Sequence, residues 1–201
     1  MGAAEVEALL GMDVPIREKT LWTMLYETAA RSSEVLALNI EDLDRRNRRS
    51  KVTRKGAAVD IIVWQTGTAR LLPRLLDGRT RGPVFLTGRR ARVALAAADL
   101  DQASGRARLS YRRAEELFTE LTKPLAHPDI TDQRLLEEAE GWTLHQLRHS
   151  ALTRAAENGA NTGTLLAYSG HSSVASLARY TRVSSDALAR WQAGRDPHRR
   201  R

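Results

Sequence analysis

Apolar positions along this chain follow two rhythms. Leu21, Leu25 and Thr28 recur at helical spacing behind Asp13 and Pro15, and a proline near the first turn favours a helix start. The pattern predicts a helix through about residue 30. Ser32 or Ser33 is placed to cap a second helix carrying Glu34, Val35 and Leu38. Residues 44–50 are polar and basic and read as a turn. The rhythm then changes. Lys51-Val52-Thr53-Arg54 and Asp60-Ile61-Ile62-Val63-Trp64 read as strands, and Lys55-Gly56-Ala57-Ala58 lies between them, so a β-hairpin is predicted.

Residues 67–92 are interrupted by Gly78, Gly82, Pro83 and Gly88, with Val84-Phe85-Leu86 as a short strand. Residues 94–105 are alanine-rich and fit neither rhythm. Ser110 is placed to cap a helix with Ala114, Leu117 and Leu121 on one face, stopped by Pro124. Residues 127–140 read as loop with some helix. Thr143 caps a helix running to Asn158 and ended by Gly159. A short helix follows over about residues 162–168. Ser172 or Ser173 caps the next, which leads to Tyr180, and Ser184 or Ser185 caps a last helix through Trp191, ended by Gly194. There is no internal repeat. The reading is one domain over residues 1–194, of the α+β class and mainly α-helical, with a small antiparallel β-sheet near its N-terminal side. Residues 195–201 form a basic tail expected to be disordered.

Composition narrows the function. At 201 residues the chain is long enough to bury a core without staples, and having no cysteine it has no disulfide or thiolate metal site. No apolar run is long enough to span a bilayer, and the N-terminus lacks signal-peptide features, so a cytoplasmic protein without a membrane partner is expected. The 32 lysines and arginines outnumber the 24 acids, giving a net charge of +8. That favours a polyanionic partner, because cations near phosphates release condensed counterions. Lysine occurs only at Lys19, Lys51, Lys55 and Lys123, which sets each of them apart from the arginines.

Candidate chemistry starts in Thr143-Leu144-His145-Gln146-Leu147-Arg148-His149-Ser150. His145 and His149 are four apart and share a helix face. Zinc-binding helices with that spacing need a glutamate where Gln146 stands, and no third ligand is at hand, so no metal is expected. Alternatively, His145 and Arg148 share a face. A guanidinium binds two phosphate oxygens at once, and a neighbouring histidine can move a proton. A structural arginine is the plainer reading of that pair alone. Tyr26, Tyr111 and Tyr168 sit among apolar residues and read as core. Trp22, Trp64, Trp142 and Trp191 read as packing residues, and His127 and His198 as surface.

Further along, Tyr168-Ser169-Gly170-His171 leads into Ala178-Arg179-Tyr180-Thr181. With these motifs the chain resembles the tyrosine recombinase (phage-type integrase) family. That family carries His-x-x-Arg-His, then Leu-Gly-His, then a tyrosine nine residues on. His145, Arg148 and His149 fit the first element, Gly170 and His171 the second, and Tyr180 lies nine residues past His171. The family's earlier arginine motif, Gly-x-Arg-x-x-Glu-x-x-x-Leu, matches residues 29–38 at Arg31, Glu34 and Leu38. Lys55 stands where the family has a hairpin lysine. Ala29 replaces a glycine, Ser169 replaces a leucine, and residues 88–140 are longer than the pattern expects.

The resemblance implies strand cleavage and rejoining through a 3′-phosphotyrosyl bond, without metal, ATP or any other cofactor. It implies Tyr180 as nucleophile, Arg31 and Arg148 as phosphate clamp, His145 as general base, Lys55 as general acid and His171 as hydrogen-bond donor to the phosphate, with Glu34 and His149 in support. Tyrosine, with a pKa of about 10, needs such help at neutral pH. The expected partner is double-stranded DNA, with a homotetramer on DNA and a monomer in isolation. The C-terminal helix is expected to pack on a neighbouring subunit. A mobile-element integrase of bacterial or phage origin fits best. A type IB topoisomerase and a decayed DNA-binding module are the competing classes. The family's separate N-terminal DNA-binding domain is expected to be absent, because Arg31 lies so near the start. Weak DNA affinity with steep salt dependence follows from that.

Overall fold

The computed structural model describes residues 1–54, 58–170, 174–177, 180 and 185–193. Helices α1 (Ala3–Gly11) and α2 (Ile16–Thr28) open the chain. Helix α2 is buried on nearly every side, and Thr20, Thr23 and Thr28 are buried with Leu21, Trp22, Met24 and Leu25. Each threonine hydroxyl donates to the carbonyl four residues back, at 2.6, 2.7 and 2.7 Å. The polar groups are thereby satisfied within the helix, which lets a weakly amphipathic sequence occupy the centre of the domain. Helix α3 (Ser32–Leu36) follows at once, with Arg31 as its N-cap in place of the expected Ser32 or Ser33.

Strands β1 (Leu43–Asp44), β2 (Arg49–Thr53) and β3 (Val59–Val63) form an antiparallel sheet in that order. Thr53 pairs with Val59 and Lys51 with Ile61, as the hairpin reading requires. Ser50, Val52 and Ile62 point into the protein, while Lys51, Val59, Ile61 and Val63 face out.

Two elements were not foreseen. Helix α4 (Thr66–Leu76) occupies part of the glycine-interrupted stretch. Its first turn is capped by Glu27 of α2, whose carboxylate accepts from the backbone N–H groups of Gln65, Gly67 and Thr68 at 2.9, 3.0 and 3.2 Å. A carboxylate suits the positive end of a helix and satisfies its orphan donors. Gly67 is needed there, since a β-carbon would lie 2.6 Å from Glu27 Oε1. The second unforeseen element is another antiparallel sheet, built from β4 (Leu86–Arg90), β5 (Leu100–Asp101) and β6 (Arg106–Arg108) in the order β4-β6-β5. Its tight turn forms because the Asp101 carboxylate accepts from Ser104 N–H at 2.9 Å and Gly105 takes a φ of +66°.

Helix α5 (Tyr111–Ala126) starts where Ser110 Oγ accepts from Arg113 N–H at 3.2 Å. It buries Ala114, Phe118 and Thr122, leaves Leu117 and Leu121 half-buried, and continues past Pro124. Pro124 is exposed in the last turn, where only one helical hydrogen bond is lost. Helices α6 (Gln133–Glu138), α7 (Leu144–Glu157), α8 (Thr162–Ser169) and α9 (Ser185–Ala193) complete the chain. Thr143 and Gln146 cap α7 reciprocally, at 3.2 and 2.7 Å. Gly159, at φ +88°, follows its C-terminus.

Helix α2 packs against α4 and α7. The main core gathers Trp22, Leu25, Leu72, Phe118, Leu144 and Leu147, with the Trp22 and Phe118 rings edge to face at 5.1 Å. A second cluster joins Ala29, Ala151, Leu152, Ala156, Leu165, Leu177 and Tyr180. Trp22, Trp64 and Trp142 are core residues, whereas Trp191 and Tyr111 are about half exposed and are not. Tyr168 is held by its hydroxyl, which donates to the carbonyls of Tyr26 and Glu27 at 3.1 and 3.0 Å. His198 and the tail lie outside the described residues. Among the described residues no helix is long and apolar enough to cross a membrane.

Removing the remote cap isolates its contribution. Glu27→Ala leaves the α4 donors without their carboxylate and is expected to lower the unfolding free energy by about 1–3 kcal/mol. Urea denaturation followed by circular dichroism measures it.

Candidate active site

The site begins at the corner between α2 and α3. Ala29 ends α2 in the left-handed region, at φ +48°. An L-residue there costs roughly 1–2 kcal/mol, and a glycine avoids that strain. The turn directs the Ala29 carbonyl at Arg148 Nη1, which donates to it. Arg148 comes from α7 and is only 5 % exposed. Its Nη2 donates to the carbonyl of Ser169, at the end of α8, at 2.6 Å. Gly170 then turns the chain at φ +61°. The small, fully buried Ser169 side chain fits beneath this turn, with its hydroxyl 3.3 Å from the Leu166 carbonyl.

Arg31 leaves the same corner. Its backbone N–H and its Nη1 both donate to Glu34, at 3.0 and 2.8 Å. Glu34 is buried while the Arg31 side chain is 41 % exposed, so a buried carboxylate anchors a guanidinium open to solvent. Of the two cations that Glu34 could hold by its position, Arg31 is the one it bonds to, and Lys55 lies outside the described residues.

Arg148 senses its neighbours. Burial and then the positive charge of Arg31 push its pKa down to about 10, with Arg54 acting in the same direction and Glu34 and Tyr180 opposing. It therefore remains a cation at neutral pH, in surroundings short of negative charge. Tyr180 is buried, and its backbone N–H donates to the Leu177 carbonyl at 2.8 Å. Its ring lies 5.2 Å from that of His149, and His149 Nε2 lies 2.6 Å from His145 Nε2. The structure thus brings Arg31, Glu34, Arg148, His145, His149 and Tyr180 into one region. Lys55 and His171 lie outside the described residues.

One residue here was missed from sequence. Arg54 continues β2, where Ser50 and Val52 point inward, and by strand alternation it points inward too. Its side chain is 7 % exposed. The guanidinium occupies the space that a β-carbon would take at Gly170. That alternation is the sequence signal for Arg54. Among the described residues no group of three or more histidines and acids is arranged to hold a metal ion.

A model of the phage integrase family matches residues 1–186. The chain belongs to the phage integrase family. The XerC tyrosine recombinase of Mycobacterium leprae is 31% identical over 196 residues, covering 94% of this chain and 57% of that relative. This integrase-family chain spans about half the length of the curated relatives it matches, 57% and 45% for two of them. Among solved structures, XerA recombinase aligns with a TM-score of 0.70 at 21% identity, over 98% of this chain and 65% of that one. The Tn1549 transposon integrase, solved in complex with circular intermediate DNA, aligns at 0.65 and 22% identity, over 97% of this chain and 66% of that one. The fold is that of the tyrosine recombinase catalytic domain, mainly helical with small antiparallel sheets.

Clustered arginines with one buried carboxylate should bind an anion and be stabilised by it. Inorganic phosphate, compared with chloride at matched ionic strength, is expected to raise Tm in the wild type and to do so far less in Arg31→Gln. Differential scanning fluorimetry reads both.

Proposed function

We propose that this chain is the strand-cleaving part of a site-specific DNA recombinase, in which Tyr180 attacks a DNA phosphate seated on Arg31 and Arg148. The observation that carries this reading is that Arg31, at the α2–α3 corner, and Tyr180 both act on the buried Arg148, with two histidines beside the tyrosine. As the tyrosine oxygen bonds to phosphorus, negative charge grows on the non-bridging oxygens. Preorganised cationic donors stabilise that charge without reorganising. Arg148 is preorganised by its two carbonyl bonds, and Arg31 by Glu34.

The tyrosine proton passes to the histidine pair, with His145 as base and His149 in contact with both rings. The bond from phosphorus to the DNA 5′-oxygen breaks, and Lys55 supplies the proton that oxygen needs. His171 donates to a phosphate oxygen. The products are a 3′-phosphotyrosyl linkage and a free 5′-hydroxyl, whose reversal rejoins a strand without ATP, metal or other cofactor. Double-stranded DNA is the substrate, and the working assembly is a homotetramer on DNA. Leu188 and Trp191, about half exposed on α9, support a helix that docks on a neighbouring subunit.

The test uses nicked suicide duplexes drawn from sequences flanking the gene, with EDTA present. Wild-type protein is expected to form a covalent DNA adduct that Tyr180→Phe does not form. Arg31→Ala is expected to slow adduct formation by about 10²–10³-fold. An adduct retained in Tyr180→Phe would overturn the assignment of the nucleophile.

A further inference from the structure

Arg54 stands apart from the clamp just described. Its backbone N–H donates to the Ala58 carbonyl at 2.8 Å, fixing it at the last paired position before the hairpin tip. Its side chain is 7 % exposed, and its Nε lies 2.9 Å from Asp60 Oδ2, without the geometry of a hydrogen bond. Neither Nε, Nη1 nor Nη2 has a hydrogen-bond partner among the described residues. Asp60 itself is 43 % exposed, so water screens its charge.

A buried guanidinium with no donor satisfied is an unfavourable thing to build. Its surroundings make it more so. It lies against Gly170, next to the Ser169 carbonyl that holds Arg148, and its charge acts on Arg148 together with that of Arg31. Three arginines therefore bear on a region where, among the described residues, the one buried carboxylate, Glu34, is already committed to Arg31. Satisfied buried charges are paired, and among the described residues the cluster has Glu34 on Arg31 and the solvent-screened Asp60 beside Arg54, with only carbonyls on Arg148. A phosphate brings several acceptor oxygens and the missing charge.

We propose that Arg54 is a third phosphate-binding arginine, reaching from the β2–β3 hairpin to a DNA phosphate at the Arg31–Arg148 site. This rests on the reading of that site as a DNA phosphate seat. The unpaired donors are the binding groups, and the closeness to Gly170 sets where the guanidinium sits. The free protein holds this charge at the expense of its own stability, and DNA relieves the strain.

That combination separates binding from structure. Fluorescence anisotropy of a labelled random-sequence duplex is measured across a salt series with wild type, Arg54→Gln and Arg54→Lys. Thermal unfolding of the same proteins is followed without DNA. Arg54→Gln is expected to reduce the slope of log K against log salt by about 0.9, the loss of one phosphate contact, and to raise Tm. Arg54→Lys is expected to keep most of the slope. A Tm lowered in Arg54→Gln, or a slope equal to that of wild type, would overturn the assignment and leave Arg54 a structural residue. Wild-type protein that shows no salt-dependent DNA binding would instead overturn the underlying reading of the site, and this proposal with it.

Discussion

The geometry of the site depends on the two carbonyl bonds of one buried arginine. Arg148 reaches from α7 to the Ala29 carbonyl at the α2–α3 corner and to the Ser169 carbonyl at the end of α8. These are segments far apart in sequence, and each leads on to a group of the site. The corner delivers Arg31 and Glu34, and the end of α8 delivers Gly170 and the chain leading to Tyr180. Fixing Arg148 therefore fixes the spacing of the whole constellation. A lysine would keep the charge but not the planar, two-sided reach, so the two residues are not interchangeable here.

The same arrangement sets stability against function. Arg148 is buried among like charges, and burial and Arg31 both lower its pKa. With its folded pKa below the unfolded value, this cation destabilises the fold at every pH below about 10, and that penalty fades as pH rises from there toward the unfolded value. An anion offsets the penalty by supplying the missing countercharge. Local strain points the same way, since Ala29 accepts a left-handed conformation in order to turn its carbonyl toward Arg148.

Much of this was legible in the chain itself, because local rules governed it. The β2–β3 hairpin followed from two strand-like runs on either side of Lys55-Gly56-Ala57-Ala58, and the start of α7 from Thr143 as its cap. What escaped was decided by partners remote in sequence. Helix α4 starts on the carboxylate of Glu27, 38 residues before Gln65, so no local cap announced it. Of the second sheet, the short strand expected at Val84-Phe85-Leu86 meets β4 at Leu86 alone, while β5 lies in the alanine-rich stretch and the turn into β6 depends on Asp101, Ser104 and Gly105. Helix α2 concealed its centrality behind threonines that satisfy themselves. Arg54 was overlooked although strand parity pointed it inward, because a basic residue beside a hairpin tip reads as solvated. Tyr111 reads as core from its apolar neighbours at helical spacing, yet the structure leaves it about half exposed.

Under the proposed function, the arginine cluster neutralises one DNA phosphate during attack by Tyr180. The most direct measurement replaces a non-bridging oxygen of the cleaved phosphate with a methyl group, removing its charge, once the cleaved position is mapped. Adduct formation is then compared between wild type and Arg31→Ala on the charged and the neutral substrate. The Arg31→Ala defect is expected to shrink markedly on the neutral substrate, because the charge it answers is gone. A defect of equal size on both substrates would contradict the account and leave Arg31 a residue that shapes the site without neutralising the phosphate.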